Sequence, residues 1–484
     1  MLELCDQSIL ATQALIGGRW SSTAATMEVI DPANGSIVAK VADCSREDAA
    51  AAIAAARDAQ GAWADAAAKE RASVLRRWHD LVVAAADDLS ALTTAEMGKP
   101  IDQARAEALY AAGYVEWFAE EAKRVYGSVV PGHARDKRII VIRQPIGVAA
   151  AITPWNFPLA MPARKLAPAL AAGCAVVLKP SPETPLTALA LAVLAERAGV
   201  PAGILSVLPS TDAAGLGLEF CSNPIVRKIT FTGSTEVGRI LMRQGSDQIK
   251  RLSLELGGNA PLIVFDDVDL DAAVQGAVEA KFRNGGQACI SANRIYAQAG
   301  IHDAFADRLA ARAAGLRVGA GTEPGVEVGP LVSPRACRKA LSHVEDVVAH
   351  GGRVLTGGRV SALGGSFVEP TVLAGVTASM RIAHEETFGP VAPILRFDAE
   401  DEVVAAANAS EFGLAAYVFT RDLRRALRMM ERLECGMVGI NTGLISTEVA
   451  PFGGWKQSGL GREGSTYGID AFVEVKYACL DIAE

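Results

Sequence analysis

The stretch Cys174-Ala-Val-Val-Leu-Lys-Pro-Ser-Pro-Glu-Thr-Pro185 decides the fold class. Cys174 to Leu178 is a short apolar run, the pattern of a strand buried on both faces. Thr184-Pro185 supplies an N-cap with proline at the first helical position, and Leu186 to Ala198 continues as helix. Gly203 to Leu208 is the next strand. Strand, helix and strand in that order make a crossover, the unit of a parallel sheet with helices on its faces.

Outward from this unit the alternation persists. Upstream lie alanine-rich helices, Arg46 to Ala64 and Glu70 to Leu89, then strands Arg138 to Arg143 and Ile146 to Ile152 split by Pro145. Downstream, strand Val226 to Phe231 runs into the glycine turn Gly233-Ser-Thr-Glu-Val-Gly238 and a helix. Near Leu252 to Gly258 the chain enters a second α/β unit that extends to about residue 450. The closing stretch Ala471 to Tyr477 alternates like a strand and, with Arg138 to Ile142, suits an arm that extends a sheet in a neighbouring subunit.

Composition narrows the function classes. At 484 residues the chain exceeds what one core serves, so two or three domains are expected. A net charge of -8 without a basic run leaves no footprint for nucleic acid. The uncharged stretch Gln144 to Ala163 carries Pro145, Pro154, Pro158 and Pro162, which break a membrane-spanning helix. Glu3 and Asp6 precede the first basic residue, Arg19, the wrong charge order for a presequence, so a cytoplasmic location is expected. The eight cysteines include no Cys-x-x-Cys pair and no two of the six histidines stand at ligand spacing, which argues against zinc and against a disulfide framework.

Five segments carry chemistry. In Lys281-Phe-Arg-Asn-Gly-Gly-Gln-Ala-Cys289, a helix with the apolar face Leu270, Ala273, Val274, Ala277 and Val278 ends at Asn284, Gly285 and Gly286, residues that tolerate left-handed dihedrals. Cys289 follows on a tight turn before the strand Arg294 to Gln298, where a thiol can project into a cleft. Thr153-Pro-Trp-Asn-Phe-Pro158 holds Asn156, a neutral donor suited to an oxyanion, on a rigid loop. Leu254-Glu-Leu-Gly-Gly258 sets Glu255 beside two glycines. Lys179 ends a strand at its carboxyl edge, where open α/β sheets bind ligands, and the Gly233 turn offers a helix N-terminus to a pyrophosphate. Taken singly, Cys289 reads more readily as a small buried hydrophobe, and Glu255 as a solvated or salt-bridged strand end.

Taken together, Pro154-Trp-Asn-Phe-Pro158, Phe231-Thr-Gly-Ser234, Leu254-Glu-Leu-Gly-Gly258, Gly286-Gln-Ala-Cys289 and Glu386-Thr-Phe-Gly-Pro390 resemble, in order and over essentially the whole chain, the aldehyde dehydrogenase superfamily. The resemblance implies a Rossmann-like cofactor-binding domain (1–125 and 146–255), an α/β catalytic domain (256–455) and a small β oligomerisation arm (126–145 and 456–484), assembled as a homodimer or homotetramer. It implies that Cys289 attacks an aldehyde and that the Asn156 amide and the Cys289 N–H hold the oxyanion. Hydride then leaves for the nicotinamide of NAD or NADP, and Glu255 activates water against the resulting thioester. Lys179 belongs to the same catalytic group, and Glu463, in Gly461-Arg-Glu-Gly464, helps relay the proton. Glu386 contacts the nicotinamide ribose, while Trp155, Asn156, Lys179, Ser181, Pro182, Gly233, Ser234, Leu256 and Phe388 line the cofactor path.

Within that superfamily the chain is most similar to succinate-semialdehyde dehydrogenases, through Gly443 to Gly454, Lys456 to Gly464, Phe282-Arg-Asn284 and Ala163-Arg-Lys165. That group grips the distal carboxylate with residues matching Arg164, Arg283 and Ser446, and guanidinium forks suit carboxylates. Glutarate semialdehyde is the nearest alternative substrate, since one methylene is worth only ~1–3 kcal/mol of discrimination. Two departures stand out. Ser291 occupies the position of a second cysteine, which excludes a thiol switch there. Pro182 replaces a glutamate found in NAD-preferring members, with Glu183 one place on, which favours NADP by relieving repulsion of a 2′-phosphate. A cofactor-free Cys–Glu hydrolase built on Cys289, Glu255 and Lys179 is the remote alternative, and the glycine turn at Gly233 and the motif order argue against it.

Overall fold

The computed structural model describes residues 3–483. Among them, the crossover at Ala175–Lys179 lies in an eight-stranded sheet. Its order is Arg19–Ser21, Ala14–Ile16, Leu205–Val207, Ala175–Lys179, Val148–Ile152, Val226–Thr232, Arg251–Glu255 and Gly459–Leu460. The five middle strands run parallel. Every residue of Ala175–Lys179 is buried, as a strand covered by helices on both faces must be. The strand order reverses between Val148–Ile152 and Val226–Thr232, so their carboxyl ends diverge and open a crevice.

A seven-stranded sheet forms the second unit, in the order Arg353–Thr356, Thr371–Ala374, Val391–Phe397, Ala292–Gln298, Ala260–Val264, Ala415–Phe419 and Met437–Ile440. Its strands are parallel apart from the outermost, Arg353–Thr356. The carboxyl end of Arg251–Glu255 in the first sheet is stitched to the amino end of Ala415–Phe419 in the second. Trp455–Lys456 pairs with Phe412–Gly413, and the chain then runs straight into Gly459–Leu460 on the first sheet. The third sheet joins Val473–Asp481, Lys137–Pro145 and Ser128–Pro131 antiparallel. It displays Val129, Val475 and Tyr477 to the outside, more apolar edge than a lone strand ribbon normally leaves open. No helix of the described residues is long and apolar enough to cross a membrane.

Two local expectations need correction. The helix expected over Glu70 to Leu89 is two helices, Ala68–Ala84 and Ala86–Met97. Ala85 between them leaves helical dihedrals at φ -93°, ψ 11°, and Asp87 and Asp88 open the second helix, where the positive dipole end favours acids. Thr184 does stand at the N-cap of Pro185–Ala198, but its hydroxyl makes no capping bond. Glu96 does that work from another helix, accepting from the N–H groups of Leu186 at 2.8 Å and Thr187 at 2.9 Å.

Candidate active site

The helix Leu270–Phe282 ends as its sequence demands. Asn284, Gly285 and Gly286 all take left-handed dihedrals, at φ 53°, 61° and 73°, a run of conformations that costs asparagine little and glycine nothing. This turn returns the chain toward the crevice and delivers Cys289. Gly258 closes the geometry from the other side, because a Cβ there would sit 2.3 Å from the Cys289 carbonyl oxygen.

Cys289 borders two cavities. The one of about 430 Å³ lies at the diverging strand ends and is lined by Trp155, Asn156, Gly233, Ser234, Leu256, Glu386 and Phe388. Seven of the residues expected on a cofactor path thus share one wall system with the thiol. Ser234 caps the helix Thr235–Gly245, accepting from Val237 N at 3.3 Å, so the positive end of that helix faces the cavity. The Glu386 carboxylate accepts from Gly258 N at 3.1 Å. Burial pushes its pKa up to about 7. Phe388 is held in the left-handed region at φ 56°, with its ring edge-on to Trp155 at 5.5 Å. Strained non-glycine residues of this kind concentrate at ligand clamps.

The second cavity, of about 230 Å³, is lined by Tyr110, Phe157, Met161, Arg164, Arg283, Ser446 and Phe452 among others. It brings together all three residues expected to grip a carboxylate, but their charges differ in availability. Arg283 makes no ion pair among the described residues and lies 5.8 Å from the Phe157 ring centre. Arg164 is partly committed: its guanidinium pairs with Glu463 at 2.8 Å and stacks 3.8 Å over Phe452, while its Nε makes no hydrogen bond.

Behind the thiol sits a buried charge cluster. Lys165 donates to Glu463 and, at 2.6 Å, to Thr232 Oγ1. Burial opposes ionisation of Glu463, but Lys165 and Arg164 outweigh it and hold this carboxyl below its ordinary range. Glu255 has neither oxygen hydrogen-bonded. Burial, reinforced by the Glu463 charge, pushes its pKa well above the carboxylate range. A carboxyl so raised is, once ionised, a stronger base than an exposed carboxylate. Burial pushes the Cys289 thiol up to about 12, while Arg164 and the residue's own N–H act in the other direction. Only the thiolate attacks, so burial works against the reaction and these two groups work for it.

Asn156 is fixed at three points. Its side-chain amide donates to Gln287 O at 3.0 Å, and its own carbonyl accepts from Lys99 Nζ at 2.9 Å and Asn284 Nδ2 at 3.0 Å. Lys179, Ser181 and Pro182 stand apart, on the turn that ends Ala175–Lys179. The Lys179 ammonium donates to Pro180 O at 3.3 Å, Ser181 Oγ donates to Glu183, and Glu183 is the residue of that turn that lines the larger cavity. Sequence reasoning missed Lys99, Gln103, Glu107 and Tyr110. Three of these recur at i, i+4 and i+7 on the alanine-rich helix Ile101–Glu121, a polar stripe that was their only signal.

The geometry agrees with comparison to known proteins. Residues 20–478 match the aldehyde dehydrogenase family. The chain is 56% identical to a glutarate-semialdehyde dehydrogenase of Pseudomonas aeruginosa and 55% identical to a 3-sulfolactaldehyde dehydrogenase of Pseudomonas putida, over 99% of both chains in each case. It is 53% identical to the NADP(+) succinate-semialdehyde dehydrogenase of Escherichia coli, over 99% of this chain and 100% of that one. The crystal structure of succinate-semialdehyde dehydrogenase from Burkholderia pseudomallei superposes with a TM-score of 0.98 at 56% identity, covering 99% of this chain and 100% of that one. The chain belongs to the aldehyde dehydrogenase family.

Proposed function

We propose that this protein oxidises a short aldehyde bearing a distal anionic group, succinate semialdehyde foremost, to the acid through a thioester on Cys289. The observation that carries the proposal is the position of Cys289 between two cavities, one with the unpaired cation Arg283 and the other with the helix end and Glu386.

The larger cavity fits a pyridine dinucleotide: Ser234 and the first turn of Thr235–Gly245 present a positive helix end to a pyrophosphate, and Glu386 suits ribose hydroxyls. Trp155, Leu256 and Phe388 would flank the remainder, with Lys179, Ser181 and Pro182 toward the adenosine side. The nicotinamide, when bound, supplies the hydride acceptor. NADP is favoured over NAD, because Pro182 leaves room for a 2′-phosphate and the Escherichia coli relative carries NADP(+) in its name.

The protein's own residues divide the remaining work. Arg283 and Ser446, with Arg164 beside them, anchor the anionic end and so orient the carbonyl toward Cys289. The Asn156 amide and the Cys289 N–H stabilise the oxyanion, and one such donor is typically worth ~2.7–4 kcal/mol. Glu255 accepts the proton from water during hydrolysis, and Glu463 relays it. The domain division 1–125 with 146–255, 256–455, and 126–145 with 456–484 is part of the same proposal. So is a homodimer or homotetramer formed through the exposed face of the third sheet.

Kinetics over aldehydes of increasing length, charged and uncharged, with each cofactor in turn, test the proposal. Succinate semialdehyde with NADP should give the highest kcat/KM, and equal turnover of uncharged aldehydes refutes the anion anchor. The names of the Pseudomonas relatives favour one second reading within the same chemistry, with glutarate semialdehyde or 3-sulfolactaldehyde as the better substrate. The same series decides it.

A further inference from the structure

We propose that the buried pair Lys99–Glu107 is the positioning device for the Asn156 amide, an inference that rests on the thioester reading above. Both side chains are only 1% exposed and they pair directly. Lys99 Nζ also donates to the Asn156 carbonyl at 2.9 Å. Glu107 Oε1 accepts from the N–H groups of Leu159 at 2.9 Å and Ala160 at 3.2 Å. The pair therefore holds the loop from Asn156 to Ala160 at both ends. One residue between them in the chain, Gln103, accepts from Asn284 N at 2.8 Å and so secures the turn that leads to Cys289. Both oxyanion donors, the Asn156 amide and the Cys289 N–H, hang from the same few residues at the start of Ile101–Glu121.

Stability alone does not account for these residue types. A buried ion pair replaced by apolar groups of similar volume is often neutral or stabilising. What apolar groups cannot supply is a second, charged donor at the Asn156 carbonyl, beside Asn284 Nδ2, and an acceptor at the Leu159 and Ala160 amides. A primary amide has two N–H donors. Asn156 uses one on Gln287 O at 3.0 Å, and the other is available to an oxyanion. Its aim is set by the peptide that Lys99 grips.

The test is a cycle of Lys99→Met, Asn156→Ala and the double variant, measured on two reactions. One is semialdehyde oxidation. The other is acylation of Cys289 by p-nitrophenyl acetate, which builds an oxyanion with no nicotinamide present. Lys99→Met should lower kcat and the p-nitrophenolate rate each by about 100-fold, with KM for the aldehyde within roughly threefold. In the Asn156→Ala background the Lys99 substitution should cost nothing further. Lys99→Arg should recover about a tenth or more of wild-type kcat, since it restores a donor. Alkylation of Cys289 by iodoacetamide, which forms no oxyanion, should proceed at the wild-type rate throughout.

Penalties that multiply in the double variant, or alkylation that falls with kcat, overturn the proposal. Should Lys99→Met not fold, as judged by circular dichroism, Glu107→Gln enters the same cycle; if neither folds, the pair is structural and the proposal fails. A wild-type protein that is never acylated at Cys289 refutes the underlying reading instead, a result distinct from these.

Discussion

Arg164 Nη2 stands 2.8 Å from Glu463 Oε2, with the two side chains 1% and 6% exposed. An arginine so paired, and stacked on Phe452, shares its charge with Glu463, and its Nε is the donor left without a hydrogen bond. Arg283 has no such partner among the described residues, although it shares the cavity. On the proposed reading the two guanidiniums carry different weight: Arg164 chiefly orders the buried acids, and Arg283 is the main cation for the anion.

Replacing Arg283 with methionine should therefore act on charged substrates alone. A hydrogen bond to a charged group is worth about 1.5–3 kcal/mol, or roughly 10- to 100-fold. Succinate semialdehyde should lose that factor in kcat/KM while butanal is turned over unchanged. Steady-state kinetics on the two aldehydes check it.

Arg164→Met should show itself first in stability. Removing one partner of a buried ion pair typically costs about 3–5 kcal/mol, and Lys165 retains part of the attraction to Glu463, so the lower end is expected. Urea denaturation followed by tryptophan fluorescence measures it. A loss in semialdehyde binding with no loss of stability would instead make Arg164 chiefly a substrate ligand.

Glu255 works as a base only when ionised, and burial raises its pKa well above the ordinary range. Thioester hydrolysis should slow as pH falls through that raised value, and the acid limb should lie above the pH at which an exposed carboxylate titrates. Glu255→Gln removes the limb and slows hydrolysis by about 10²- to 10⁴-fold. Rapid-quench kinetics across pH resolve the limb from the acylation step.

Lys228 gives a stability signature of its own. It is fully buried, donates to Ser253 Oγ at 2.6 Å and lies 5.0 Å from the Phe472 ring. Burial, with help from Arg251 and Lys165, pushes its pKa down from 10.5 to about 7. Between those values the unfolded chain binds the extra proton, so stability rises with pH by up to about 1.4 kcal/mol per unit from this group. The contribution is present above the unfolded value and is lost as pH falls through the folded one. Lys228→Met should flatten the dependence between pH 7 and 9 in chemical denaturation.

Much of this architecture was legible in the chain because its signals are local. The apolar run at Cys174 to Leu178 and the glycines after Leu270–Phe282 each specify backbone geometry within a few residues. Where partners are distant the sequence is silent. Glu96 caps a helix 90 residues away, and Lys99 reaches a carbonyl 57 residues away. No periodicity encodes either contact, because folding alone brings them together. Arg164 was legible as a residue type but not as a committed one, since its partner Glu463 lies near the other end of the chain.

The most direct measurement is intact and peptide mass spectrometry of the Glu255→Gln protein mixed with succinate semialdehyde and NADP, then quenched in acid. One succinyl group on the peptide containing Cys289 is the predicted result. Continued oxidation with the acyl group on another residue, or with no acyl-protein at all, contradicts the account.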